Sequence, residues 1–185
     1  MDSLGMTMIA EALSAEGLAV ARFEFAYMAA RRTSKRTPPP RAERVIPEYH
    51  TAVEALNASG PIVIGGKSMG GRVASMVADD FYARGIIGGL LCLGYPFHPI
   101  GKPDQLRTEH LKHLKTPTLI FQGTRDPFGT EDEVPGYDLS PANRVRWMPD
   151  EDHDIRPRKR VSGFSYADHM ATMAVETAAW VRGLA

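Results

Sequence analysis

The sequence predicts an α/β protein of three layers, a mostly parallel sheet with helices on both faces, in a minimal domain. Two observations carry this. Strand-like and helical stretches alternate along the chain, which implies crossover connections between parallel strands. The strand-like runs are short and uniformly apolar, as in sheets covered on both faces. With 185 residues, the chain fits a single domain spanning 1–185.

The elements follow in order. Asp2 or Ser3 is positioned to cap a first helix, in which Met6, Ile9, Ala10 and Leu13 recur at helical spacing and Gly17 supplies the stop. Leu18–Phe25 reads as a strand. Tyr27–Arg41 reads as a loop, with basic residues and the extended run Pro38-Pro39-Pro40. Val45, Ile46, Tyr49, Val53 and Leu56 mark a second helix with Pro47 in its first turn, where the missing N–H is harmless. Strands are expected at Pro61–Gly65, Gly89–Leu93, Thr118–Gln122 and Arg144–Met148. Helices are expected at Met69–Tyr82, over a short stretch before Lys115, and from Ser165 to Gly183.

Composition narrows the function. Lys plus Arg equals Asp plus Glu, 22 against 22, so no basic excess draws the chain to nucleic acid or to an anionic membrane. The lone Cys92 lies in an apolar run and reads as a buried small hydrophobe. No apolar stretch approaches bilayer length and no signal peptide is visible, which makes a cytoplasmic protein the default.

The chemistry concentrates at Gly65-Gly66-Lys67-Ser68-Met69-Gly70-Gly71-Arg72. Gly66-x-Ser68-x-Gly70, after an apolar strand and before an amphipathic helix, is the pattern of a nucleophile on a sharp turn. The bare pattern arises by chance in about one chain of this length in twenty, so the strand–turn–helix context is what gives it weight. A side chain at either flanking glycine is expected to collide with nearby backbone. Ser68 would feel the positive end of the helix dipole, and the Met69 N–H could donate to an oxyanion. A phosphate-binding loop fails, because Pro61 stands where the first glycine is required.

A serine nucleophile needs a base and an orienting acid, which follow it in the order acid, then histidine. Asp126, just past the strand Thr118–Gln122, fits the acid; a turn-forming Asp-Pro is the rival reading. His153, after the last strand, fits the base. His169 is the rival, but the last helix would carry it away from a strand-end site. Lys67, Tyr95 and His98 are candidate pocket residues. His50, His110 and His113 fall on helices and read as solvated. Asp150–Asp154 lacks spaced metal-ligand sets. The basic run Arg156, Arg158, Lys159 and Arg160 reads as a solvated face or as a contact for an anionic substrate group.

These segments resemble a small α/β-hydrolase family related to dienelactone hydrolases and to the testis-expressed and chromatin-complex hydrolase-like proteins of animals. The resemblance rests on Arg22-Phe23-Glu24-Phe25, Gly65–Arg72, Gly94-Tyr95-Pro96-Phe97-His98, Gln122–Asp126 and Asp152-His153 with the basic stretch after it. It implies a Ser68–Asp126–His153 triad, no cofactor, and hydrolysis of an ester-like bond (carboxylic ester, lactone or thioester) through an acyl-enzyme. The implied partner is a small ester-like molecule, with a homo-oligomer left open. A weak or inactive hydrolase-like binding or scaffold module is the alternative, motivated by a missing oxyanion turn. Such proteins carry a further strand before the first helix, ending in a His-Gly-Ala-Gly-like turn that supplies a second oxyanion donor. The sequence begins where that turn would have ended. The expectation is an N-terminally truncated domain, in which Leu18–Phe25 and Pro61–Gly65 close up or leave a slot for another chain.

Overall fold

Four strands form the sheet: β1 (Ile62–Lys67), β2 (Ile87–Leu93), β3 (Thr118–Gly123) and β4 (Asn143–Met148), of which β4, with Asn143, Arg144 and Arg146, departs from the uniformly apolar expectation. They lie in the order β1-β2-β3-β4, each parallel to its neighbour. The computed structural model describes residues 3–31, 38–58, 60 and 62–184. Asp2, Pro61 and part of the Tyr27–Arg41 loop fall outside that set.

Side chains alternate across the strands and so divide the core in two. Leu90 and Cys92 of β2 face one layer with Ile64 and Ile120. That layer is covered by α3 (Ile46–Ala55) and α4 (Met69–Ala83), whose Val73, Val77 and Phe81 recur every four residues. Leu91 and Leu93 face the other layer with Leu119 and Phe121. There they meet α1 (Leu4–Ala15), through Ile9 and Leu13, and the long C-terminal helix, through Met170 and Met173. The layering matches the sequence expectation.

Local signals set the helix ends. The Ser3 hydroxyl caps α1 by accepting from the Met6 N–H, and Gly17 follows its last turn at φ +85°. The chain also forms two helices that the sequence did not announce: α2 (Ala26–Ala30), inside the expected loop, and α5 (Lys159–Ser162), inside the basic run. The last helix, α6 (Tyr166–Arg182), starts at Ser165 with a capping box closed by Asp168. Pro47 lies in the first turn of α3 as expected, after a 3-10 turn at Ala42–Val45.

One element differs. Leu18–Phe25 has the composition of a strand but joins no ladder, and Val20 and Phe23 stay 37% and 40% exposed. A strand needs a neighbour's amides and carbonyls, and the outer side of β1 meets a side chain instead. The Tyr49 hydroxyl of α3 donates to the Gly65 carbonyl at 2.7 Å and accepts from the Gly65 N–H at 2.9 Å. Phe23 and Phe25 then pack their rings on Tyr49, with centroids 5.1 and 6.3 Å away. The segment is held by rings, β1 is left as a sheet edge, and the two segments do not close into a ladder.

That single hydroxyl serves two backbone groups. Tyr49→Phe is expected to lower stability by about 1–3 kcal/mol, the penalty for leaving buried polar groups unpaired. Chemical denaturation of the two proteins reads it directly, and equal midpoints would mean water replaces the hydroxyl.

Candidate active site

β1 ends at Lys67, and the chain turns at Ser68 directly into α4. Ser68 sits at φ 53° and ψ −120°, a backbone region that L residues avoid. Strain of this kind costs on the order of 1–3 kcal/mol and persists only where surrounding structure enforces it. The enforcing contacts are visible. The Ser68 N–H donates to the Leu93 carbonyl at 2.9 Å, and its own carbonyl accepts from Arg72 N–H at 3.0 Å. A Cβ on Gly66 would lie 2.6 Å from the Gly70 carbonyl carbon. The expectation for Gly70 itself is corrected: a Cβ there meets nothing within 4 Å. The second crowded position is Gly71, where a Cβ would lie 2.7 Å from the Gly66 oxygen. Met69, the first residue of α4, has no intrahelical acceptor for its N–H.

Three strand ends then bring three side chains together. His153 Nε2 lies 2.8 Å from Ser68 Oγ, and His153 Nδ1 lies 2.8 Å from Asp126 Oδ2. The tautomer that donates from Nδ1 to the carboxylate leaves Nε2 to accept the serine proton. Asp126 is fully buried, and its other oxygen accepts from the Phe128 N–H at 2.9 Å. The His153 side chain is 19% exposed and rests against the Phe128 ring at 4.3 Å. A half-buried serine and imidazole therefore stand in front of a buried carboxylate.

The loop carrying His153 is pinned at both ends. Asp150 and Ile155 have positive φ, 54° and 64°. Arg125 pairs with Asp150 at 2.8 Å, and Arg158 pairs with the same carboxylate. The hydrogen bonds from Arg158 hold the Asp150 carboxyl down at about 2. Asp152 Oδ1 accepts from the Asp154 and Arg156 amides at 2.9 and 3.0 Å. Lys67 Nζ meets Asp154 Oδ1 at 3.2 Å, which ties the residue before the serine to the residue after the histidine.

The family model described as an alpha/beta hydrolase domain matches residues 1–182. The chain belongs to the α/β-hydrolase family. Solved structures agree on the fold. The esterase domain of a Rhodothermus marinus protein is 18% identical with a TM-score of 0.66, over 98% of this chain and 81% of that one. An alpha-beta serine hydrolase homologue from Coxiella burnetii is 20% identical with a TM-score of 0.66, over 100% and 78%. A structure of metagenome-derived lipolytic enzymes is 15% identical with a TM-score of 0.65, over 97% and 88%.

The remaining candidates of this hydrolase domain sit elsewhere. Tyr95 and His98 are packed in the interior, not along an open pocket wall. The Tyr95 hydroxyl donates to the Arg107 carbonyl at 3.1 Å, and His98 Nδ1 lies 2.9 Å from the Pro99 carbonyl. His98 Nε2 approaches Glu133 at 3.5 Å, an ion-pair distance without hydrogen-bond alignment. His110 is not solvated: its Nε2 lies 2.8 Å from Ser75 Oγ, and burial beside Arg72 lowers its pKa to about 4. His50 is half-buried on the Phe81 ring, and His113 is exposed. Cys92 is fully buried and its thiol is pushed up by desolvation. Among the described residues, no helix is long and apolar enough to cross a membrane.

Sequence reasoning missed one candidate, Glu151; His169, the rival to His153, lies on α6 and reaches neither Ser68 nor Asp126, as expected. Glu151 and His169 meet each other in the interior, with Glu151 Oε2 2.8 Å from His169 Nδ1. The acidic loop and the helical histidine are visible in sequence, but nothing local pairs them.

Proposed function

We propose that this α/β-hydrolase domain is a serine hydrolase acting on ester-like bonds, with Ser68 as nucleophile, His153 as general base and acid, and Asp126 as orienting carboxylate. The observation that carries the reading is the pair of 2.8 Å contacts running from Ser68 Oγ through the imidazole to Asp126 Oδ2. Ser68 Oγ attacks the carbonyl carbon as its proton passes to His153 Nε2. The Met69 N–H stabilises the developing oxyanion, and Asp126 offsets the imidazolium charge. Collapse of the tetrahedral species breaks the bond to the leaving group, which takes the proton from Nε2. Water repeats the sequence on the acyl-serine and releases the acid. Carboxylic esters, lactones and thioesters all present the required carbonyl, and the relatives described as an esterase domain and lipolytic enzymes support that class.

A fluorophosphonate probe tests this. The expected result is a single adduct on Ser68, with p-nitrophenyl acetate turnover abolished together with labelling in Ser68→Ala. Folded protein that stays unlabelled would overturn the proposal.

The second reading, a hydrolase-like binding module, draws on one observation: among the described residues no strand pairs with the outer side of β1, beside the elbow. It predicts that Ser68→Ala behaves as wild type in cells, and loss of function in that variant rejects it.

A further inference from the structure

Behind His153 lies a second acid–imidazole couple that the proposed chemistry does not use. The Glu151 and His169 side chains are 3% and 2% exposed and meet at 2.8 Å. His169 lies on α6, and its ring rests 5.3 Å from Phe164. Its Nε2 is buried without a partner, so the contact to Glu151 is the polar anchor of that ring. Glu151 adjoins Leu93, Phe121, Met148, Ile155 and Met173 around a gap that holds no water-sized void. Burial of an acid in such a place is unfavourable and is retained where a specific partner compensates it.

The backbone of Glu151 faces the opposite way. Its carbonyl accepts from the Arg125 N–H at 3.0 Å, next to Asp126. One residue thus joins three parts of the site: the end of β3 that carries Asp126, the loop that carries His153 two positions on, and α6. The loop needs such a tie, because Asp150 and Ile155 hold it at positive φ on either side.

We propose that Glu151 and His169 form a positioning couple, which locks the His153 loop onto α6 and thereby sets the alignment of His153 between Ser68 and Asp126. The proposal rests on the hydrolase reading above. Neither residue touches substrate; both act through His153.

Protonation supports the geometry. Burial, then Asp152 and Asp126, raises Glu151 to about 8, against a small opposing pull from Lys67. Burial lowers His169, opposed by Asp168 and Asp150. Tyr166 on α6 is raised by burial, opposed by Arg156 and reinforced by Glu151 and Asp154. Near neutral pH the couple is uncharged and holds one hydrogen-bonding proton between Oε2 and Nδ1. Because the folded pKa of Glu151 is raised, its favourable contribution is complete below the ordinary carboxylate range and is lost as pH rises through about 8. Ionisation would place a bare anion in a dry lining beside Asp126.

The test compares wild type with Glu151→Ala, His169→Ala, the double variant and Glu151→Gln, which keeps a neutral donor. Kinetics on p-nitrophenyl acetate run from pH 6 to 9.5, with thermal melts alongside. The expected result is a kcat loss of roughly 10–100-fold in each alanine variant at unchanged KM, the scale of a small misplacement of a catalytic group. The double variant should be no worse than either single one, since the pair acts as a unit. Glu151→Gln should restore most of kcat at pH 7 and lack the reversible fall that wild type shows through pH 8. Alanine variants that melt lower but keep wild-type kcat, or identical pH profiles for wild type and Glu151→Gln, would overturn it. The low-field proton NMR signal of the His153 Nδ1–H gives a readout independent of turnover. If wild type does not label at Ser68, the hydrolase reading fails alone, while an unchanged signal in folded Glu151→Ala defeats the positioning couple and a lost or shifted one supports it.

Discussion

Asp126→Asn is expected to lower kcat by about 10⁴-fold, the effect of forcing the wrong imidazole tautomer in a serine triad, while leaving the fold intact. The geometry explains the split. Asp126 uses its two oxygens for different tasks: Oδ1 accepts from the Phe128 amide, and Oδ2 faces His153 Nδ1 at 2.8 Å. An asparagine can keep the first contact through its carbonyl oxygen. Its NH₂ then faces Nδ1 and can only donate, so the imidazole must accept there and carry its proton on Nε2. Nε2 would then point a proton at Ser68 Oγ and could not remove one. The carboxylate that offsets the imidazolium is lost at the same time. Fluorophosphonate labelling and ester turnover should fall together, with denaturation midpoints close to wild type. A loss of less than tenfold would mean that something other than Asp126 orients His153.

Where reasoning from sequence succeeded, the signal was local. The Gly66–Gly71 turn constrains its own few residues, so the elbow at Ser68 was readable from the strand before it and the helix after it. Asp126 and His153 followed from one rule, that parallel sheets gather their chemistry at strand carboxyl ends. The failures involve partners distant in sequence. Leu18–Phe25 has strand composition, but pairing is decided by a neighbour, and the outer side of β1 is met by the Tyr49 hydroxyl. His169 stays away from Ser68 and Asp126 as its helix implied, but its partner was not legible. Glu151, 18 positions earlier, comes to meet it in the core. His110 was read as solvated, yet Ser75 on α4 and Tyr95 draw it inside. Gly70 and Gly71 show the same limit at short range, since the motif marks the first and the packing crowds the second.

A close backbone approach beside the site gives the second large effect. Gly123→Ala is expected to destabilise the protein by about 3 kcal/mol or more, because overpacking forces backbone to move. A Cβ at Gly123 would lie 2.2 Å from the Glu151 carbonyl oxygen and 2.6 Å from its carbon, and neither is the free end of a flexible side chain. The Glu151 carbonyl cannot retreat without breaking its bond from Arg125 N–H at 3.0 Å, and the Asp150 amide beside it is tied to Thr124 Oγ1 at 2.9 Å. Relief must therefore come from moving the His153 loop away from β3, which carries the imidazole away from Asp126. The folded fraction should lose roughly 10²-fold in kcat, as expected when a catalytic group shifts by about 1 Å. Gly88→Ala is the control, since a Cβ there meets nothing within 4 Å. Chemical denaturation with kcat measured on folded protein separates the two consequences. If Gly123→Ala matched Gly88→Ala in both, the His153 loop would have slack that its contacts deny, and the close seating of that loop on β3 would not be what aligns the imidazole.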